Sequence, residues 1–191
     1  MNNIEIEIQV KIEKDKNLKE FLKKNASFRK EVHQADEYFS PNNENYLESR
    51  PIKKWLRLRS SNEVFSITYK NYYFDKNGKS TYCDEYETKI ESIENFRKIF
   101  KALNFKSLII VDKIRKTWNY KDYEILIDSV KNLGDFVEIE YIGKKQNVNP
   151  EKITKEMMAF LKSIDCGTIE RNYVGYPFQL LFPEEIRFEI F

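Results

Sequence analysis

I-E-I-E-I-Q-V-K-I-E, residues 4–13, alternates apolar and polar side chains without a break. A period of two is the period of a β-strand, and it puts the isoleucines and valine on one face with Glu5, Glu7 and Lys11 on the other. Outward from this stretch the same pattern returns. Residues 31–39 read as extended. Residues 54–60 place Trp55, Arg57 and Arg59 opposite Leu56 and Leu58. Runs 63–70 and 82–91 alternate too, the second with Cys83, Glu85, Glu87 and Lys89 on one face. In the second half, 108–118, 122–130 and 135–142 predict further strands, with Asn132-Leu133-Gly134 linking the last two.

Between the strands the period changes. Leu18, Phe21 and Leu22 predict a helix over residues 15–24, and Ile93, Phe96, Ile99, Phe100 and Leu103 predict another ending near Asn104. A third helix starts after Asn149-Pro150, with Met157, Met158, Phe160 and Leu161 along one side. Ser40-Pro41-Asn42-Asn43 is a turn cluster opening a loop to about Pro51. Residues 173–182 are expected to pack on the outside. No Pro-, Gly- or Ser-rich linker divides the sequence, so residues 1–191 are read as one α+β domain.

Composition narrows the function classes. The 191 residues carry 33 Lys and Arg against 31 Asp and Glu, so the net charge of +2 gives no field for nucleic acid, and no such partner is expected. A single histidine, His33, and two distant cysteines, Cys83 and Cys166, argue against zinc sites, His-dependent triads and a disulfide framework. With 5 Gly there is no phosphate-cradling glycine loop. No run of about 18 apolar residues occurs and the first residues do not read as a leader, so neither a membrane nor export is expected; the location is read as cytoplasmic.

The charged faces point to a ligand. Each strand has an apolar face that amphipathic helices can cover, and each has a charged face. About eight such strands curled into a barrel, with the helices outside, enclose the charges. Cations and carboxylates sharing one cavity are costly to desolvate unless they pair or meet a ligand. Arg and Lys suit phosphate oxygens, and clustered carboxylates suit Mg²⁺ or Mn²⁺, so a metal-bound polyphosphate satisfies both sets.

The sequence resembles the CYTH, or triphosphate tunnel metalloenzyme, family, closest to its class IV adenylyl cyclase-like members. The resemblance runs from Glu5 to about Leu181. It rests on E-I-E-I at 5–8, D-E-Y at 36–38, W-L-R-L-R at 55–59, T-Y-K at 68–70, D-E-Y-E at 84–87, D-K-I-R at 112–115, I-D at 127–128 and L-G-D-F-V-E-I-E at 133–140. It implies a single CYTH domain with an eight-stranded antiparallel β-barrel tunnel. Arg57, Arg59, Lys70, Lys113 and Arg115 would grip the triphosphate, joined by Lys11, while Glu5, Glu7, Asp128, Glu138 and Glu140 would hold Mg²⁺ or Mn²⁺. Glu85 and Glu87 would stand beside them. Arg171 and Tyr173 resemble an element that helps close the tunnel.

The family signature E-x-E-x-K is broken here, since Gln9 stands where the lysine belongs. Gln9 cannot act as a base. The resemblance implies conversion of ATP to cyclic AMP and pyrophosphate. Its alternative is hydrolysis of tripolyphosphate, thiamine triphosphate or a nucleoside triphosphate, with Lys70 and Tyr38 orienting water. A third reading, motivated by Gln9, is a triphosphate sensor without turnover. A homodimer is compatible with all three.

Overall fold

The computed structural model describes residues 4–143 and 148–191, with the backbone alone for Ile4 and Glu5. The opening alternation forms β1 (Ile4–Glu5) and β2 (Glu7–Ile12), interrupted only at Ile6. Helix α1 (Asp15–Asn25) follows, then β3 (Ser27–Pro41), β4 (Lys54–Ser61), β5 (Val64–Phe74), β6 (Ser80–Ile90) and α2 (Ile93–Ala102). The second half contains β7 (Phe105–Tyr120), β8 (Tyr123–Val130), β9 (Gly134–Tyr141), α3 (Pro150–Ser163), β10 (Ile169–Asn172), α4 (Tyr176–Leu181) and β11 (Glu189–Ile190). All strand pairings are antiparallel.

The strand order is β1-β6-β5-β4-β3-β7-β8-β9-β2-β10-β11, a linear series of eleven and not the closed ring of eight expected. The difference has two sources. The N-terminal strand is split at Ile6, and the C-terminal segment adds β10 and β11, which periodicity could not distinguish from loop. Because β1 and β2 are consecutive, the N-terminal segment pairs with β6 through Glu5↔Cys83 and with β9 through Glu7↔Glu140. It is the seam around which the sheet curls.

The helices cover the apolar face as expected. Leu18 and Leu22 of α1 and Met157 and Leu161 of α3 pack against Ile8, Val10, Ile125, Val137 and Ile139. Each fully buried side chain of this size contributes about 1.5–3 kcal/mol. Over β3 and β4, Ile93 and Phe100 of α2 cover Phe39 and Leu58. The Ser92 hydroxyl accepts from Asn95 N–H at the start of α2, and the Asn149 amide oxygen accepts from Lys152 N–H at the start of α3.

The expectation for residues 173–182 is corrected. Tyr176, Pro177, Phe178 and Gln179 of α4 are buried instead of lying on the outside. Tyr176 and Phe178 pack with Trp55, Val111, Val130 and Phe136, which point inward from the strands. One end of the interior is therefore apolar and plugged by α4; a six-residue helix is too short for its period to be read against the strand pattern.

Candidate active site

Alternation delivers the inward side chains, and turn geometry sets their level. Between β8 and β9 the chain reverses through Asn132 and Gly134, both at positive φ (69° and 91°), a conformation that glycine adopts without a Cβ penalty. That turn fixes Val130↔Gly134, and hence Asp128↔Phe136, Leu126↔Glu138 and Glu124↔Glu140. On β3 a bulge between Phe28 and Lys30 switches faces. Phe28 turns out against Trp118, with ring centroids 4.9 Å apart, while Lys30 turns in.

The inward faces surround a cavity of about 410 Å³. Six cationic side chains line it, Lys30, Arg57, Arg59, Lys70, Lys113 and Arg115, against six carboxylates, Glu7, Glu85, Glu87, Glu124, Glu138 and Glu140. Tyr38, Trp55 and Tyr72 complete one wall, and Gly175, Tyr176 and Pro177 close an end. Most side chains expected at the site are thus brought together. Three are placed differently. Lys11 reaches the plugged end, where it donates to Leu133 O at 3.3 Å and sits 4.8 Å from the Phe136 ring centroid. Arg171 lies outside this lining, stacked 4.5 Å from the Tyr173 ring centroid. Asp128 is fully buried beneath the lining. The side chain of Glu5 lies outside the described residues.

The cations are not equivalent. Arg59 is held in a fork by Asp36, with Nε and Nη2 donating at 2.6 and 2.7 Å. Arg115 donates to Asp128 at 2.7 Å and also to Glu138. Arg57 faces Asp36, Glu85 and Glu87 at 3.6, 3.6 and 3.7 Å, beyond hydrogen-bond range, and its Nε has no hydrogen-bond partner among the described residues. Lys70 lies 3.4 Å from Glu85. Arg57, which also hydrogen-bonds Tyr38, therefore keeps more donor capacity for an incoming anion than Arg59 or Arg115.

Sequence reasoning missed several of these residues. Asp36, only 1% exposed, anchors Arg59 from the middle of the interior. The D-E-Y motif contained it, and alternation from Tyr38 put it on the inner face. Glu124 and Lys30 carry the same signal, weakened by Leu126 on one strand and by the bulge on the other. Tyr176 gave none, because it reaches the site from α4 to donate to Asp128 at 3.0 Å.

Burial alone would raise the Asp36 carboxyl, but Arg59, Arg57 and Lys113 outweigh it and hold the group well below the usual range. Glu138, which burial likewise pushes up, is brought down to about 2 by Arg115, Lys113 and the Gln9 amide. Lys113 falls to about 8, because burial and neighbouring Arg115 oppose its charge more than Asp128 supports it. The linkage signs follow. Glu138 contributes stability fully present above its ordinary value of 4.5 and lost as pH falls towards 2. Lys113 has the same sign in a higher window: the folded protein binds fewer protons than the unfolded chain between about 8 and 10.5, so stability again rises with pH there, as the penalty of the buried ammonium is relieved. Urea midpoints should fall steeply below pH 4.5, and Glu138→Gln should flatten that limb. An unchanged acid limb in the variant would contradict the assignment.

The carboxylates of one wall form a ladder. Glu7 opposes Glu140, and Glu140 opposes Glu124, across β2, β9 and β8. Directly opposed like charges are destabilising, and a divalent cation with its preference for hard oxygen ligands relieves that repulsion. Among the described residues no three such side chains already converge on one point. The donor chemistry and register nevertheless fit a hard cation, since Glu7, Glu140 and Glu124 stand level on three adjacent strands. Asp128 would join them only by releasing Lys113, Arg115 or Tyr176.

Residues 3–169 match the CYTH domain. The chain belongs to the CYTH domain family. Over 175 residues it is 37% identical to a candidate adenylate cyclase of Methanocaldococcus jannaschii, covering 90% of this chain and 97% of that one. A Pyrococcus horikoshii protein of solved structure, PH1012, is 26% identical with a TM-score of 0.68 over 84% of this CYTH chain and 89% of its own. A Hippeastrum protein described as a candidate adenylyl cyclase with a dominant triphosphatase activity shares the fold, with a TM-score of 0.62 at 17% identity, over 94% of this chain and 95% of that one. No helix among the described residues is long and apolar enough to cross a membrane.

Proposed function

We propose that this CYTH chain is a metal-dependent enzyme that takes a triphosphate into the cavity, with ATP converted to cyclic AMP and pyrophosphate as the reading best supported. The observation that carries it is one cavity of about 410 Å³ in which six cationic and six acidic side chains face one another. Its volume is that of a small-molecule site. The 37% identical M. jannaschii relative supports the cyclase branch.

Glu7, Glu138 and Glu140 would hold Mg²⁺ or Mn²⁺, with Glu5 two residues before Glu7 at the end of β1. When bound, the metal neutralises phosphate oxygens and eases deprotonation of a nearby hydroxyl. Arg57 and Lys70 grip the phosphate chain, while Arg59, Lys113 and Arg115, anchored by Asp36 and Asp128, keep the wall positive and in place. Charge-assisted bonds in a water-poor cavity strengthen as negative charge moves to the leaving pyrophosphate. In the reaction the ribose 3′ oxygen bonds to the α-phosphorus and its proton passes to water. The bond from that phosphorus to the bridging oxygen breaks, and pyrophosphate leaves. Catalysis by this site is mainly positioning and charge stabilisation.

A second reading, hydrolysis of a terminal phosphate, is favoured by Tyr38 and Lys70 lining the same wall, where they would orient water. Incubating the protein with ATP and Mg²⁺ or Mn²⁺, and separating cyclic AMP, ADP, pyrophosphate and phosphate, decides between them. Cyclic AMP in equal amount to pyrophosphate is expected; ADP and phosphate alone would move the assignment to the triphosphatase.

A further inference from the structure

Gln9, which stands where the family signature carries lysine, is tied on both sides. Its side-chain NH₂ donates to Glu138 Oε1 at 2.8 Å, and its amide oxygen accepts from the NH₂ of Gln179 at 2.9 Å. Gln179 belongs to α4, is 1% exposed, and also donates to Val174 O at 3.3 Å. An amide has one donor end and one acceptor end, so the acceptor-only Glu138 carboxylate and the donating Gln179 NH₂ select the same orientation of Gln9. The second oxygen of Glu138 is taken by Arg115. Three elements, the plug α4, the seam strand β2 and the acidic strand β9, are thereby joined through one relay. Tyr176 gives α4 a second tie to the wall through Asp128, at 3.0 Å.

A lysine at position 9 would break this relay. Its ammonium has donors only, and it would meet the Gln179 NH₂ donor to donor. Turning Gln179 over would aim its oxygen at the Val174 carbonyl instead. The glutamine at position 9 and the glutamine at position 179 therefore fit each other.

We propose that Gln9 and Gln179 form a positioning pair that fixes the Glu138 carboxylate and locks the plug helix to the acidic wall. Gln9 lines the cavity, but both ends of its amide are engaged by Glu138 and Gln179, so the pair acts on a ligand through Glu138. Its effect on ligand rests on the triphosphate reading, and its effect on the fold rests on hydrogen bonding alone. Losing an outer partner of a metal-holding carboxylate weakens binding by about 10–100-fold.

The test uses the full chain with Gln9→Lys, Gln179→Glu and the double variant, together with Gln179→Met as a near-isosteric variant that removes the relay. Two readouts are taken: urea midpoints without ligand, and calorimetric titration with tripolyphosphate in Mn²⁺. Gln9→Lys and Gln179→Met should each weaken tripolyphosphate binding by about 10-fold or more. The double variant should recover part of that loss, because the ammonium introduced at position 9 can then bond both Glu138 and the carboxylate introduced at position 179, while the bond to Val174 O stays lost. The urea midpoints should be non-additive in the same sense. Additive midpoints with no recovery of binding would overturn the proposal, as would a Gln179→Met protein that binds like the parent. Should the double variant fail to fold, the Gln179→Met titration alone decides. If the parent protein does not bind tripolyphosphate while its midpoints remain non-additive, the triphosphate reading and the effect of the pair on ligand fail, and the lock between α4 and the wall stands.

Discussion

Asp36→Ala should destabilise the protein by roughly 3–5 kcal/mol, the range for stripping one partner from a buried ion pair. The carboxylate is 1% exposed and accepts both fork donors of Arg59, with Arg57 3.6 Å away. Without it, two guanidinium groups face each other across a low-dielectric interior. The melting temperature should fall on the order of 10 °C for a chain of this size. The change should shrink when Arg59→Met is added, because the second variant removes the charge that was left uncompensated. A single variant that melts with the parent would show that the interior is wetter than the geometry implies.

Arg57→Ala should lower kcat/KM for the triphosphate substrate by about 10²–10³, the cost of losing one preorganised donor to developing negative charge. Arg57 is the appropriate target because its carboxylate neighbours lie at 3.6–3.7 Å and its Nε is unpartnered among the described residues. Arg59 and Arg115, committed to short carboxylate contacts, should instead show large stability losses on substitution. Steady-state kinetics beside thermal melts separates the two classes. An Arg57→Ala protein with parental kinetics and a collapsed melting temperature would reverse these roles.

Alternation placed Arg57, Lys70, Glu85 and Glu138 on inward faces, and the cavity contains all of them. This worked because a pleated strand leaves no freedom in which face a side chain takes. The same reasoning failed for Lys11. It is on the correct face, but its level along the strand puts it at the apolar end, beside Phe136 and Leu133. Period gives face; only register and turns give height. Asp128 shows a related gap, since its burial depends on Tyr176 arriving from a segment remote in sequence. The role of Gln9 was half legible. Its inability to act as a base follows from its chemistry, whereas its partners Glu138 and Gln179 lie 129 and 170 residues away and become neighbours only through the fold.

Whether this cavity holds a metal-bound triphosphate is tested most directly by calorimetric titration of tripolyphosphate into the protein in Mg²⁺ or Mn²⁺. Saturable binding of one ligand per chain is expected, weakened strongly by chelating the metal and by Arg57→Ala. No binding under these conditions, or binding indifferent to both the metal and Arg57, would contradict a triphosphate site at this position.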